Sequence, residues 1–272
     1  MFVIGLRFHD SRLRPASSKT ASLWSFSELS LYVFLAMHSL LIILFSAFCL
    51  TSFLPAEVEV SKHDFFDASR GREVPALVYQ SEASQCSSRP LVIINHGYGG
   101  SYKAYSYIAN ALANQGYSVV SVQQDLAADP PLPREGDILA LRKPFYERGI
   151  ETLLFLTEAL ELMYPGMCYG ELILIGHSNG GDIVMAFSDR YPRRVRAVIS
   201  LDSFRYPFPV CKGFPILSLR ASDSQLSDSS YPAEGVESVI IEAMLHNEMD
   251  DTGSGKGKKD VLDAIMSLLA GL

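Results

Sequence analysis

Five residues, Gly176-His177-Ser178-Asn179-Gly180, follow the apolar run Glu171-Leu-Ile-Leu-Ile175 and precede a helical pattern. Few local patterns restrict a fold more. A buried strand must end, reverse sharply and enter a helix within about four residues, and small residues on both sides let the backbone do so. The turn then stands Ser178 at the strand tip beside the positive end of the next helix. Such an arrangement belongs to an open, mostly parallel sheet with crossover helices.

The rest of the chain reads consistently with that layout. Residues 57–65 and 74–80 alternate as an opening antiparallel pair. Leu91–Asn95, Leu172–Ile175, Ala197–Leu201, Ile216–Arg220 and Ser238–Glu242 read as strands, with Ser118–Gln123 between the first two. Helices are expected over Tyr105–Gln115, Gly149–Tyr164, Gly181–Arg190 and Asp260–Ala270. The sequence thus predicts an α/β fold with a central sheet flanked by helices. The Pro-rich connection from Asp202 to Pro215 is too short for a helical cap, so no cap domain is expected. Ala127–Arg142 is the longest loop and is expected to wall the site.

Leu29 to Ala56 contains no Asp, Glu, Lys or Arg and is long enough to cross a bilayer as one apolar helix. Arg7, Arg12, Arg14 and Lys19 against Asp10 and Glu28 leave a net +2 before it, which favours a cytoplasmic N-terminus and an exported remainder. Residues 1–56 are therefore read as a signal or membrane-anchor segment and residues 57–272 as the catalytic domain. A signal peptide is favoured over a permanent transmembrane anchor, although Phe53-Leu54-Pro55-Ala56 is a poor cleavage site; a start at Met37 would give a compact apolar signal. Membrane contact is expected through residues 29–54, with the domain periplasmic or extracellular.

Removing that +2 from the chain's −7 leaves −9 on residues 57–272, which disfavours nucleic-acid or anionic-membrane partners and favours a small-molecule substrate. Four cysteines, Cys49, Cys86, Cys168 and Cys211, show no metal-ligand spacing, and no metal or cofactor is expected. Cys86 and Cys168 precede strands expected to be neighbours, so a bridge between them is set against three reduced thiols.

A serine hydroxyl needs a base, and the order expected in this fold is serine, acid, histidine. His246 is the only histidine after Ser178 and follows the last expected strand. Asp223 and Asp202 both stand at strand C-terminal ends, where catalytic groups gather. Asp223, in the turn Ala221-Ser-Asp-Ser224, is preferred as the acid; Asp202 is the alternative, with Asp228 behind both. In Asn95-His-Gly-Tyr-Gly-Gly-Ser101, small residues expose backbone, and the Tyr98 and Asn179 amides are the expected oxyanion donors.

HGYGGS, GHSNGG, SLRASD and LHNEMDD, in that order over about residues 57–272, resemble the α/β-hydrolase superfamily. The chain looks most like its small, cap-less bacterial members related to dienelactone hydrolases and platelet-activating-factor acetylhydrolase-like enzymes. A dienelactone hydrolase carries cysteine where this chain has Ser178. The resemblance implies ester cleavage through an acyl-enzyme on Ser178, His246 and Asp223. Short to medium acyl chains are expected, since the short connection after Asp202 leaves no room for an apolar lid. Two other readings stand beside it: a peptidase or amidase on the same fold, and a non-catalytic binding protein on the hydrolase scaffold.

Overall fold

A computed structural model describes residues 34–35, 37–39, 57–85, 88–203, 205–209, 213–224 and 234–272. The chain divides into two compact units, Met1–Leu54 and Pro55–Leu272. Within the first, Phe34, Leu35 and Met37 to Ser39 are helical, and the Ser39 hydroxyl donates to the Leu35 carbonyl at 2.9 Å. The remainder of the apolar run, and with it the expected membrane segment, lies outside the described residues. Among the described residues no helix is long and apolar enough to cross a membrane.

In the second unit, residues with branched or aromatic side chains build β1 (Glu59–Asp67), β2 (Arg72–Gln80), β3 (Pro90–Asn95) and β4 (Val119–Val122). They continue in β5 (Cys168–His177), β6 (Val195–Leu201), β7 (Ile216–Ala221) and β8 (Val236–Ile241). Among the described residues these form one eight-stranded sheet in the order β1-β2-β4-β3-β5-β6-β7-β8. The β1–β2 and β2–β4 pairs are antiparallel and the rest are parallel.

The helices are α1 (Glu82–Gln85), α2 (Ser106–Asn114), α3 (Ile138–Met163), α4 (Asn179–Arg190) and α5 (Gly255–Ala270). Because side chains alternate across a strand, β3 feeds both layers. Val92 and Ile94 pack with Ile108 and Leu112 of α2 and Val261 and Ile265 of α5. Leu91 and Ile93 pack with Leu153 and Leu156 of α3 and Ile183 and Phe187 of α4. Fully burying each such aliphatic side chain contributes about 1.5–3 kcal/mol. Near-continuous apolar strands are what a sheet covered on both faces requires.

Three element starts depart from the sequence reading by four residues or more. Helix α3 begins eleven residues before Gly149 and runs through Pro144, with Asp137 accepting from the Ala140 amide at 3.1 Å as its N-cap. This shortens the expected loop over Ala127–Arg142. Gly149, the first residue of the expected helix, permits close packing: a Cβ there would lie 2.6 Å from Ile183 Cγ2. Strand β5 starts at Cys168 rather than Leu172, and α5 starts at Gly255 with Ser254 accepting from the Gly257 amide. Cys168 carries a free thiol, which favours reduced thiols over a bridge to Cys86; Cys86, Cys211 and Cys49 lie outside the described residues.

Candidate active site

Strand β5 ends at His177, and Ser178 adopts φ 50° and ψ −119° before α4 begins at Asn179. A non-glycine residue in this region is strained and persists only where its surroundings hold it. The Ser178 amide donates to the Leu201 carbonyl at 2.9 Å, and the Ser178 carbonyl accepts from the Asp182 amide at 3.0 Å. Gly180 is required by close approach, since a Cβ there would strike the carbonyl oxygens of Asn95 and His96.

His246 opens a short 3-10 turn, His246–Glu248, after β8. The Ser178 hydroxyl lies 3.2 Å from His246 Nε2, and His246 Nδ1 lies 2.6 Å from Asp202 Oδ2. A carboxylate only accepts, so Nδ1 carries the proton and Nε2 is left to accept from the serine. Asp202 follows β6 directly, is fully buried and, like Ser178, has φ 50°.

The preferred acid, Asp223, does not reach the imidazole. Its Oδ1 accepts from the backbone N–H of His246 at 2.6 Å, so it orders the loop that carries the histidine. The turn after β7 runs beside that loop, while the end of β6 lies next to β5 and faces the ring. Asp228 lies outside the described residues.

Arg220, near the end of β7, was not singled out from the sequence and is 1% exposed. Its Nη2 lies 3.2 Å from Asp202 Oδ1, its Nη1 donates to the Ser203 carbonyl at 2.8 Å, and its Nη2 also bonds the Ser224 hydroxyl. Burial alone would raise the Asp202 pKa, but the hydrogen bonds from His246 and Ser224 and the charge of Arg220 hold it below the ordinary carboxylate value. An arginine inside a fully buried strand needs a carboxylate partner, and that need was the available clue to Asp202.

The turn after β3 faces the elbow. His96 Nδ1 donates to the Gly97 carbonyl at 2.7 Å and Nε2 accepts from the Gln124 amide at 2.9 Å, so this ring is neutral and structural. The Gly97 amide donates to the Tyr105 hydroxyl at 3.3 Å, which lies 2.8 Å from His177 Nδ1. Burial first, and His246 beside it second, push the His177 pKa down to about 4. The Gly99 amide donates to Asp125 at 3.2 Å, and the Tyr98 hydroxyl accepts from the Leu132 amide at 3.1 Å. These bonds fix the backbone around Tyr98 opposite Asn179.

Tyr98, Ser178, Asn179 and His246 line one cleft of about 260 Å³. Arg134, Arg142 and Arg205 line it too, which the negative charge of the domain does not suggest. Arg142 is buried with its Nη1 4.0 Å from Asp182, whose other oxygen accepts from the amides of Arg205 and Tyr206 at 3.1 Å. Burial pushes the Asp182 pKa up to about 6 against those hydrogen bonds. A larger cavity of about 660 Å³, between α3, α4 and residues 206–209, excludes the serine and histidine. Among the described residues no three His, Cys, Asp or Glu side chains are grouped to hold a metal ion.

A sheet of this order, with a serine elbow after β5 and a histidine after β8, is the α/β-hydrolase fold. Comparison with solved structures agrees. A fungal esterase from Rhizomucor miehei matches with a TM-score of 0.59 at 12% identity, covering 79% of this chain and 83% of that one. A ferulic acid esterase from Streptomyces cinnamoneus matches with 0.60 at 17%, covering 80% and 91%. A dienelactone hydrolase from Anabaena variabilis matches with 0.54 at 13%, covering 78% and 98%. No protein-family model and no curated protein matches the sequence.

Proposed function

We propose that the chain is a serine hydrolase that cleaves carboxylic esters of small molecules. The observation that carries this reading is the hydrogen-bonded series Ser178–His246–Asp202 at the C-terminal edge of the sheet. In the reaction the Ser178 oxygen bonds to the ester carbonyl carbon while its proton passes to His246 Nε2. The tetrahedral oxyanion takes hydrogen bonds from the Tyr98 and Asn179 amides. The intermediate collapses, the alcohol oxygen leaves with the proton from Nε2, and an acyl-serine remains. Water, deprotonated by Nε2, adds to that acyl carbon; collapse releases the carboxylic acid and returns the proton to Ser178. Asp202 keeps the imidazole in the Nδ1–H tautomer and balances the positive charge it acquires.

The esterases among the structural neighbours support ester chemistry as the reaction class, and the small cleft supports short to medium acyl groups. Export across a membrane, with the segment over Leu29–Ala56 serving as signal peptide or anchor, completes the proposal on sequence grounds. Labelling with a fluorophosphonate probe, followed by a panel of p-nitrophenyl esters from acetate to palmitate, tests it. Labelling at Ser178 that disappears in Ser178→Ala, together with turnover falling toward palmitate, is expected. An unlabelled Ser178 would overturn the enzyme reading, and a sharp preference for palmitate would overturn the chain length. N-terminal sequencing and fractionation of the protein made in cells tests export: a domain found in the cytosol with residues 1–56 intact overturns it.

A further inference from the structure

Asp202 is fully buried, yet solvent supplies none of what a carboxylate needs there. One oxygen is used by His246. The other accepts from the Ala221 amide at 3.3 Å and lies 3.2 Å from Arg220 Nη2. Arg220 is itself fixed at the carbonyl of Ser203, the residue after Asp202, and at the Ser224 hydroxyl. A neutral residue at 220 would leave a buried carboxylate with hydrogen bonds from the imidazole, the Ser224 hydroxyl and one long backbone amide, and no counter-charge on its second oxygen.

We infer that Arg220 is a positioning residue of the triad, keeping Asp202 ionised and turning its second oxygen onto His246 Nδ1. This inference rests on the hydrolase reading above, but it concerns a charge chain, Arg220–Asp202–His246, that exists before substrate arrives. The groups facing it are His177 on β5, whose ring centroid lies 5.0 Å from that of His246, and Asp223, which holds the His246 amide. Neither replaces the guanidinium: His177 is neutral, and Asp223 adds negative charge.

The test pairs Arg220→Lys and Arg220→Gln with the same changes in an Asp202→Asn background. Turnover of p-nitrophenyl acetate is read beside the far-downfield proton resonance of the His246 Nδ1–H. In the natural background, Arg220→Gln should lower kcat by about 10²-fold or more with KM within about threefold, and Arg220→Lys should recover at least about tenfold of that. The acid limb of the rate profile should move to higher pH in the Gln variant, because the burial that raises the Asp202 pKa is then opposed by the His246 and Ser224 hydrogen bonds alone, without the Arg220 charge. In the Asp202→Asn background neither change should cost more than about threefold, since the partner charge is already gone. The downfield resonance should persist in the Lys variant and vanish in the Gln variant.

Equal losses in both backgrounds, or an unshifted resonance in Arg220→Gln, would overturn the inference and give Arg220 a purely structural part. Should Arg220→Gln fail to fold, Arg220→Lys alone decides by the same comparison. Its loss must fall only where Asp202 is present. The two readings fail separately: if the natural protein turns over no ester, the hydrolase reading fails, while the resonance still reports whether Arg220 orients Asp202.

Discussion

Replacing Asp202 or Asp223 by asparagine separates two carboxylates that the sequence ranks in the opposite order from their geometry. In Asp202→Asn the amide can present N–H to His246, favouring the wrong tautomer, and the imidazolium formed during attack loses its counter-charge. Triads of this kind lose about 10⁴-fold in kcat on that change. The fully buried Arg220 is also left without its carboxylate 3.2 Å away. Removing one partner of a buried pair costs about 3–5 kcal/mol. At about 2–4 °C per kcal/mol for a domain of this size, the lower figure lowers Tm by about 6–12 °C. Asp223→Asn keeps an oxygen that can accept from the His246 amide, and Asp223 is exposed, so about 1 kcal/mol and a less than about tenfold loss in kcat are expected. Steady-state kinetics on p-nitrophenyl acetate and thermal melts on the two variants decide it. A severe loss in Asp223→Asn with an active Asp202→Asn would refute the assignment.

Other expectations follow from packing and charge. Gly180→Ala should destabilise the fold and abolish probe labelling of Ser178, because the added methyl must displace the backbone at Asn95 and His96; an active, normally melting variant would count against the described elbow. Asp182, its pKa raised by burial from 3.8 to about 6, binds a proton more readily folded than unfolded. Its stabilising contribution is therefore largest below pH 3.8 and is lost as pH rises through about 6, at about 1.4 kcal/mol per unit. The melting temperature of the natural protein should accordingly gain on that of Asp182→Asn as pH falls from 6 to 4, by the equivalent of about 2 kcal/mol; a constant difference would refute the shift. With Arg134, Arg142 and Arg205 lining the cleft, an ester bearing a distant carboxylate should have a higher kcat/KM than its neutral isostere at low salt. That advantage should shrink in about 1 M salt, where charges are screened within about 3 Å; no difference at either salt would refute it.

Much of the fold was legible because its cues are local. The apolar strands, the glycine-flanked turn at Ser178 and the lone histidine after β8 each declare themselves within a dozen residues. The start of helix α3 is hidden in the sequence because Pro144 argues against a helix, whereas the folded chain carries the helix through it from the Asp137 cap and packs Gly149 against Ile183. That packing depends on tertiary neighbours. The three arginines of the cleft were illegible for the same reason, since Arg134 and Arg142 come from the stretch after β4 and Arg205 from the connection after β6.

The choice between Asp202 and Asp223 depends on register, which only the paired sheet reveals. His177 pairs with Leu201, Leu201 with Leu219, and Arg220 with Ile240. Advancing one residue past the first three gives Ser178, Asp202 and Arg220 side by side across adjacent strands. The amides of the first two repeat the step, Ser178 donating to Leu201 and Asp202 to Leu219, and both residues have φ 50°. Neighbouring strands are about 4.8 Å apart, so a carboxylate after β6 stands one strand from the serine and one from the arginine. Asp223 lies three residues beyond Arg220, after β7 has ended and the chain has turned, and so leaves that row. Across three strands His246 must reach back from β8 toward β5, and a carboxylate after β6 meets its ring midway. The same row explains why an arginine can occupy a buried strand. Its charge faces the anion that the site itself requires.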